Sequence, residues 1–63
     1  MRLMKTIKYR GCLMEDKNIC WVYSELSSDR EAIKFYELHF GVNQEDLVIE
    51  YYDEYFNIWQ LII

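Results

Sequence analysis

The chain has 63 residues, of which 52% are hydrophobic and 17% aromatic, and its net charge is −4. This length allows one domain with one small core, and the high hydrophobic content excludes an intrinsically disordered chain. Residues 1–6 lack the apolar run of a signal peptide, and the uncharged stretch 55–63 is too short to span a bilayer. We therefore expect a soluble cytoplasmic protein.

Charge is divided sharply along the chain. Residues 1–24 hold five lysines and arginines against two acids, which is about +3, and residues 25–63 hold two basic residues against nine acids, which is about −7. No lysine or arginine follows Lys34. A one-signed surface of this kind steers partners and selects them by charge, although it does not determine the fold.

The first half of the chain predicts a β-hairpin. Residues 3–9 alternate loosely between apolar and polar types, residues 15–18 form a polar turn, and residues 19–23 are rich in aromatic and β-branched side chains. Gly11 indicates a bulge or a bend in the first strand.

The middle of the chain predicts a helix over Asp29–Phe40. Ser28 and Glu31 have the spacing of a capping box, in which each side chain reaches the backbone amide of the other residue. Gly41 follows the last helical residue and is a favourable C-terminal stop. At 100° per residue the apolar side chains share one arc: Ala32, Ile33, Phe35, Tyr36, His39 and Phe40.

The last third of the chain predicts two further strands. Residues 42–46 form a linker, residues 47–52 a strand, residues 52–55 a turn and residues 56–62 a fourth strand. A single long bent strand over residues 47–63 is the alternative. The order β-β-α-β-β favours an α+β fold, with one helix packed on one face of a mostly antiparallel four-stranded sheet and the strands before and after the helix running parallel.

The two faces of the last hairpin differ in composition. Alternation assigns a cleaner apolar set to the helix side: Leu47, Ile49, Tyr51, Phe56, Ile58 and Ile62. The other face mixes aromatic, apolar and acidic side chains and has no second helix to cover it: Val48, Glu50, Tyr52, Tyr55, Asn57, Trp59 and Leu61.

Acidic and aromatic residues together make this hairpin the candidate partner-binding site. Carboxylates along a strand can present a negative track to a basic groove, and flat rings can provide anchors, so the pattern is typical of a nucleic-acid mimic. A solvated acidic surface that keeps the protein soluble is the simpler alternative. The candidate residues are Glu45, Asp46, Glu50, Tyr52, Asp53, Glu54, Tyr55 and Trp59. Phe35 and Leu38 on the helix form a second candidate contact patch.

Catalytic and metal sites are not expected. Cys12 and Cys20 are interpreted as reduced thiols, with oxidative pairing across the first hairpin as the alternative. His39 is interpreted as a structural residue near the helix C-terminus, because no nucleophile or orienting group accompanies it. The acids lack the spacing of a calcium loop. We therefore expect no enzymatic activity, no metal and no cofactor.

The basic residues of the first hairpin have two interpretations. Arg2, Lys5, Lys8 and Arg10 could contact phosphates, but the net charge of −4 opposes the approach of nucleic acid. The alternative is that they balance the acidic half of the chain, within one molecule or across a dimer. We favour this second interpretation and expect no direct nucleic-acid or membrane binding.

The segment from the helix to the third strand resembles part of a known family. Asp29, Ala32 and Ile33, followed by Phe40-Gly41-Val42 and then by Glu45-Asp46-Leu47 with Ile49, resemble the N-terminal module of Jag-type bacterial RNA-binding proteins over about a third of the chain. This resemblance concerns a capped helix and a returning strand, and no function is carried over from it.

Taken together, these features predict a non-enzymatic protein-binding module. The expected partner has a basic surface, and a nucleic-acid-handling enzyme such as a host defence nuclease is the most natural one; small size and acidity are also typical of accessory proteins of phages and mobile elements. The alternative is a small homodimer that buries its sheet face or an edge strand, for example near Ile62 and Ile63, against a second copy.

Overall fold

The fold is α+β, with a four-stranded antiparallel sheet and a single α-helix in the computed structural model, which describes residues 5–16 and 20–63. The strands are β1 (Ile7–Leu13), β2 (Val22–Leu26), β3 (Leu47–Asp53) and β4 (Ile58–Leu61), and the helix α1 is Asp29–Phe40. Two 3₁₀ turns, Met14–Asp16 and Gln44–Asp46, precede β2 and β3. The strand order is β2-β1-β3-β4, so the strands on either side of α1 run parallel with β1 between them.

The helix begins and ends where its caps are. The Ser28 side chain accepts a hydrogen bond from the Glu31 amide, and Gly41 ends the helix in the left-handed conformation with φ of 69°. The Glu31 carboxylate accepts a hydrogen bond from the Ser27 hydroxyl rather than from the Ser28 amide, so only one half of the predicted capping box is present. The predicted helix bounds are confirmed.

The core lies between α1 and one face of the sheet. Tyr9, Ala32, Tyr36, Leu47 and Ile49 are buried there, and the helix packs on β1, β2 and β3. Ala32 and Tyr36 are the buried residues of the helix, whereas Phe35 and His39 are exposed at the edge of its apolar arc. The predicted apolar arc of the helix was therefore too wide, because it included these two exposed residues.

Both strands of the first hairpin lie later in the chain than predicted. β1 covers Ile7–Leu13 instead of 3–9, and β2 covers Val22–Leu26 instead of 19–23. Residues 3 and 4 of the first predicted strand, residues 17 and 18 of the predicted turn, and residue 19 lie outside the described residues. The register pairs Gly11 with Val22, which places position 21 rather than Cys20 opposite Cys12.

Gly11 pairs regularly with both neighbouring strands, so the predicted bulge at this position is wrong. Its role is to admit the Tyr36 ring, because a Cβ at position 11 would lie 2.8 Å from Tyr36 Cδ1. The Tyr36 hydroxyl reaches past the glycine to donate to the Val22 carbonyl at 2.7 Å, and it lies 2.8 Å from Ser24 Oγ. These contacts of Tyr36 hold the helix against β1 and β2.

Residues 47–63 form a hairpin, not one bent strand. The hairpin turn lies at residues 54–57, two residues later than predicted, and Asn57 adopts a left-handed φ of 57°. At the other end of β4, the amides of Ile62 and Ile63 both donate to the Ile49 carbonyl, and the Ile49 amide donates to Ile63. Two residues opposite one form a β-bulge, which directs both isoleucines against the core.

Candidate functional site

The face of the sheet that points away from the helix carries most of the candidate site residues that lie in strands. Directly paired residues share a face, so the register assigns to this face: Lys8, Arg10, Cys12, Tyr23, Glu25, Val48, Glu50, Tyr52, Trp59 and Leu61. We call it the outer face. Most of the sequence-based assignment for the last hairpin is confirmed, because Leu47, Ile49, Tyr51 and Ile62 pack towards the core and Glu50, Tyr52 and Trp59 lie on the outer face.

Arg10 is the centre of the outer face. Its guanidinium contacts Glu50 Oε1 through Nε at 2.7 Å and through Nη2 at 2.6 Å. Its Cζ lies 4.3 Å from the ring centroid of Trp21 and 4.4 Å from that of Trp59. A guanidinium held between two indoles and paired with a carboxylate combines cation–π contacts with a charge-assisted hydrogen bond. The side chains of Arg10 and Glu50 are 21% and 17% exposed.

This ion pair connects the basic and acidic halves of the chain. It supports the interpretation that Arg10 balances the acidic half within one molecule. Glu50 therefore does not present an uncompensated negative charge, in contrast to its predicted role in a negative track. Arg2, another of the predicted basic residues, lies outside the described residues.

Aromatic side chains surround the ion pair. The Trp59 ring makes an edge contact with Tyr52 at 5.2 Å between centroids and a tilted contact with Tyr23 at 5.9 Å. The Tyr52 hydroxyl donates to the Asn57 side chain at 3.1 Å. Because Trp59 and Tyr52 are held by these neighbours, they are partly buried and preorganised rather than freely projecting.

The turn between β3 and β4 carries a second group of candidate residues. We call residues 53–56 the hairpin tip. Tyr55 and Phe56 are 86% and 62% exposed, and their rings are in edge contact at 4.8 Å. Asp53 organises this turn, because its Oδ1 accepts from the Tyr55 and Phe56 amides and its Oδ2 accepts from the Gln60 side chain. The Gln60 hydrogen bond, with smaller help from the two amides, lowers the pKa of the Asp53 carboxyl.

The predicted acidic residues occupy two separate places. Glu45 and Asp46 lie in the 3₁₀ turn before β3, and Asp53 and Glu54 lie at its far end. Six residue steps along β3 separate Leu47 from Asp53, which is about 20 Å at 3.3 Å per step. The structure therefore brings Tyr52, Asp53, Glu54 and Tyr55 together, but it does not bring Glu45 and Asp46 into the same site.

The second predicted patch is exposed on the helix. Leu38 is 84% exposed, and Phe35 stacks on His39 at 6.1 Å between ring centroids. Phe35 also makes an edge contact with the buried Tyr36. His39 thus takes part in a small aromatic group beside the helix C-terminus, as expected of a structural residue.

Candidate metal ligands do not cluster among the described residues. No three histidine, cysteine, aspartate or glutamate side chains come together within residues 5–16 and 20–63 as ligands. In the same part of the chain, no disulfide joins Cys12, which is buried, to Cys20, which is exposed. A helix long and apolar enough to cross a membrane is also absent from these residues.

Sequence reasoning missed the central role of Arg10 and Trp21. Trp21 precedes β2 and Trp59 lies in β4, so only the strand register brings their rings to the same guanidinium. The alternation of Lys8 and Arg10 with apolar residues did indicate that both point to one face. Comparisons with protein-family models, with curated proteins and with solved structures found no match to this chain.

Proposed function

We propose that this chain is a small non-enzymatic binding module that occludes a basic, nucleic-acid-binding surface of a partner protein. The hairpin tip is the part that docks. The observation that carries this proposal is the combination, in one turn, of two carboxylates and two exposed rings, Tyr55 and Phe56.

The tip is preorganised for binding. The hydrogen bonds from the Tyr55 and Phe56 amides and from Gln60 to Asp53 fix the turn before any partner arrives. A turn that is already ordered loses less conformational entropy on association than a mobile loop does. Rigid aromatic side chains at such a position are typical anchors of protein–protein interfaces.

The charge of the molecule favours a basic partner. The net charge is −4, and the one ion pair among the described residues, Arg10–Glu50, lies on the outer face and leaves Glu54 outside it. Long-range attraction to a positively charged groove would speed association and would weaken as salt is added. Lysines and arginines that normally hold phosphates are the natural counterpart, so a nucleic-acid-handling enzyme is the expected partner class.

The outer face would extend the contact beyond the tip. Tyr52 and Trp59 lie beside the tip and are held in place by their ring contact. Glu50 supports this surface through Arg10 rather than by supplying free charge. Glu45 and Asp46, at the other end of β3, would add to steering without touching the same groove.

The test uses affinity capture from the source lysate at low and high salt, followed by a DNA- and RNA-binding assay on the released protein. The wild-type chain should retain a basic protein at low salt, release it at high salt, and compete with nucleic acid for it. Glu54→Lys combined with Tyr55→Ala should abolish retention, because it removes charge and anchor without touching Asp53 or Gln60.

The matched control is Glu45→Lys, which makes the same charge change about 20 Å away along β3. It should retain the partner with only a modest loss. If Glu54→Lys/Tyr55→Ala binds as well as Glu45→Lys, the tip is not the docking surface. If the captured protein binds nucleic acid equally well with and without this chain, occlusion is wrong.

A further inference from the structure

Among the residues that the structure describes, no strand pairs with the outer edge of β4, which runs up to the bulge at Ile62 and Ile63. Residues 55–63 contain no charged side chain, and no proline or glycine interrupts β4. Ile58 on the helix side and Leu61 on the outer face are 50% and 65% exposed. Natural proteins protect edge strands with charges, prolines, bulges or covering elements, since an open apolar edge pairs with other strands.

The backbone of this edge offers a regular set of hydrogen-bonding groups. The Ile62 amide donates inward to the Ile49 carbonyl at 2.9 Å. Backbone groups alternate from side to side along a strand, so those of Gln60 also face β3, and those of Trp59 and Leu61 face outward. The two outward-facing residues lie symmetrically on either side of Gln60.

We propose that β4 pairs with β4 of a second copy of this chain, antiparallel about a two-fold axis that passes through Gln60. The two sheets would then form one continuous eight-stranded sheet. In this register Trp59 of each copy forms a hydrogen-bonded pair with Leu61 of the other, which satisfies all four outward-facing donors and all four acceptors of these residues. On the outer face each indole would pack on a leucine, and on the helix side Ile58 would lie opposite the second copy's Ile62.

Charge does not oppose pairing at this edge. Two chains of net charge −4 repel each other at long range, and β4 adds no charged side chain to this repulsion. Antiparallel pairing also places the Asp53 and Glu54 carboxylates of the two copies at opposite ends of the paired strands. By contrast, β2, the other edge strand, carries Glu25 in its interior.

The proposed interface is small. A pair of four-residue strands with a few flanking side chains lies at the lower end of the range of specific interfaces, so the dimer should be weak and concentration-dependent. Raising the salt concentration should strengthen it, because salt screens the repulsion between two acidic chains. Salt should weaken the proposed complex with a basic partner. The two proposals therefore predict opposite salt dependences, and the failure of one can be distinguished from the failure of the other.

Sedimentation equilibrium over a wide range of protein concentration, at low and high salt, tests the dimer. We expect wild-type chain to dimerise, and Leu61→Lys to weaken the dimer at least about tenfold, because it places two charges per dimer at the strand edge. Leu38→Lys is the matched control, since it makes the same change at an exposed helix position and should dimerise like the wild type. Circular dichroism checks that both variants remain folded.

A disulfide tests the register. In the Cys20→Ser background, Gln60→Cys places two thiols at the two-fold axis in a non-hydrogen-bonded pair, the closest spacing in an antiparallel sheet. Mild oxidation of the Gln60→Cys variant should give a covalent dimer. The same treatment of a Tyr23→Cys variant, which carries its thiol on the other edge strand, should not. A chain that stays monomeric throughout the concentration range, or a Leu61→Lys variant that dimerises as well as Leu38→Lys, would overturn the proposal.

Discussion

Arg10 and Glu50 form a salt bridge across β1 and β3, with the guanidinium held between two indole rings. The two residues come from the oppositely charged parts of the chain and face each other in the strand register. Their pairing brings one basic side chain and one acidic side chain from these two parts of the chain into direct contact. The acidic residues at the two ends of β3 lie outside this pair and contribute, with the other acids of the chain, to its negative charge.

Substitutions of Arg10 should lower the free energy of unfolding through lost packing on the indole rings as well as through lost charge pairing. Arg10→Lys keeps the charge but loses the planar fork and the stacking on two rings, so we expect a loss of about 1 kcal/mol in the free energy of unfolding. Arg10→Ala should cost more, because it also leaves Glu50 without its partner. Urea denaturation measures both variants. Lys8→Ala, two residues along the same face and exposed, should change stability by less than about 0.5 kcal/mol.

Gly11→Ala should be among the most damaging small substitutions. The new Cβ would lie 2.8 Å from the Tyr36 ring, which sits between the helix and the sheet, so we expect a loss of about 1–3 kcal/mol. Gly41→Ala is a useful comparison, because nothing lies within 4 Å of its Cβ and only the left-handed φ of 69° opposes it. It should cost about 1 kcal/mol. A double-mutant cycle with Tyr36→Leu should show strong coupling for position 11 and none for position 41.

Two buried tyrosines should make the protein sensitive to alkaline pH. Burial raises the pKa of Tyr9, and its hydrogen bond to Asp29 at 2.8 Å acts in the same direction. Burial also raises the pKa of Tyr36 above 10.0, against a smaller opposing effect of the Ser24 hydrogen bond. The folded state therefore holds protons that the unfolded state releases, so this stabilisation is complete below pH 10 and is lost as the pH rises above it.

Unfolding measured between pH 8 and pH 12 should show this loss. Tyr9→Phe should flatten the alkaline decline and lower stability at neutral pH by about 1 kcal/mol, because the hydrogen bond to Asp29 disappears. Tyr55→Phe serves as the control at a tyrosine on the exposed tip. An equal effect of both substitutions on the alkaline slope would show that burial of Tyr9 is not the cause.

Asp53 should be the residue that makes the hairpin tip sensitive to acid. Its hydrogen bond from Gln60 lowers the pKa of its carboxyl below 3.8, so the carboxylate stabilises the folded turn above that pH and this contribution is lost as the pH falls through the lowered value. Asp53→Asn keeps an oxygen acceptor for the Tyr55 and Phe56 amides, and Asp53→Ala does not. Amide chemical shifts of residues 55 and 56 should change more in the alanine variant.

The helix and the general architecture could be predicted because their signals are local. Ser28, the helix pattern and Gly41 lie within one short segment, and the predicted bounds agree with the structure. The strands of the first hairpin were predicted three or four residues too early, because the signal that positions them is not local. A glycine within β1 weakens the strand pattern, and the contact that explains it comes from Tyr36, 25 positions later in the chain.

The site was only partly predictable for the same physical reason. The predicted site residues from Tyr52 to Tyr55 are neighbours in sequence and remain together in space. The cluster around Arg10 is assembled from Trp21, Glu50 and Trp59, which depend on strand register, and register is set by long-range pairing that one sequence does not reveal. The two acidic groups looked like one cluster in the sequence, yet the length of an extended strand separates them.

The two indoles on either side of Arg10 give this protein a built-in optical reporter. They are the only tryptophans in the chain, so selectively excited fluorescence comes entirely from one spot on the outer face. A ligand that covers this spot should shift or quench the emission, whereas one bound to the helix surface should leave it unchanged. Titration of unlabelled protein can therefore distinguish which side of the sheet is occupied.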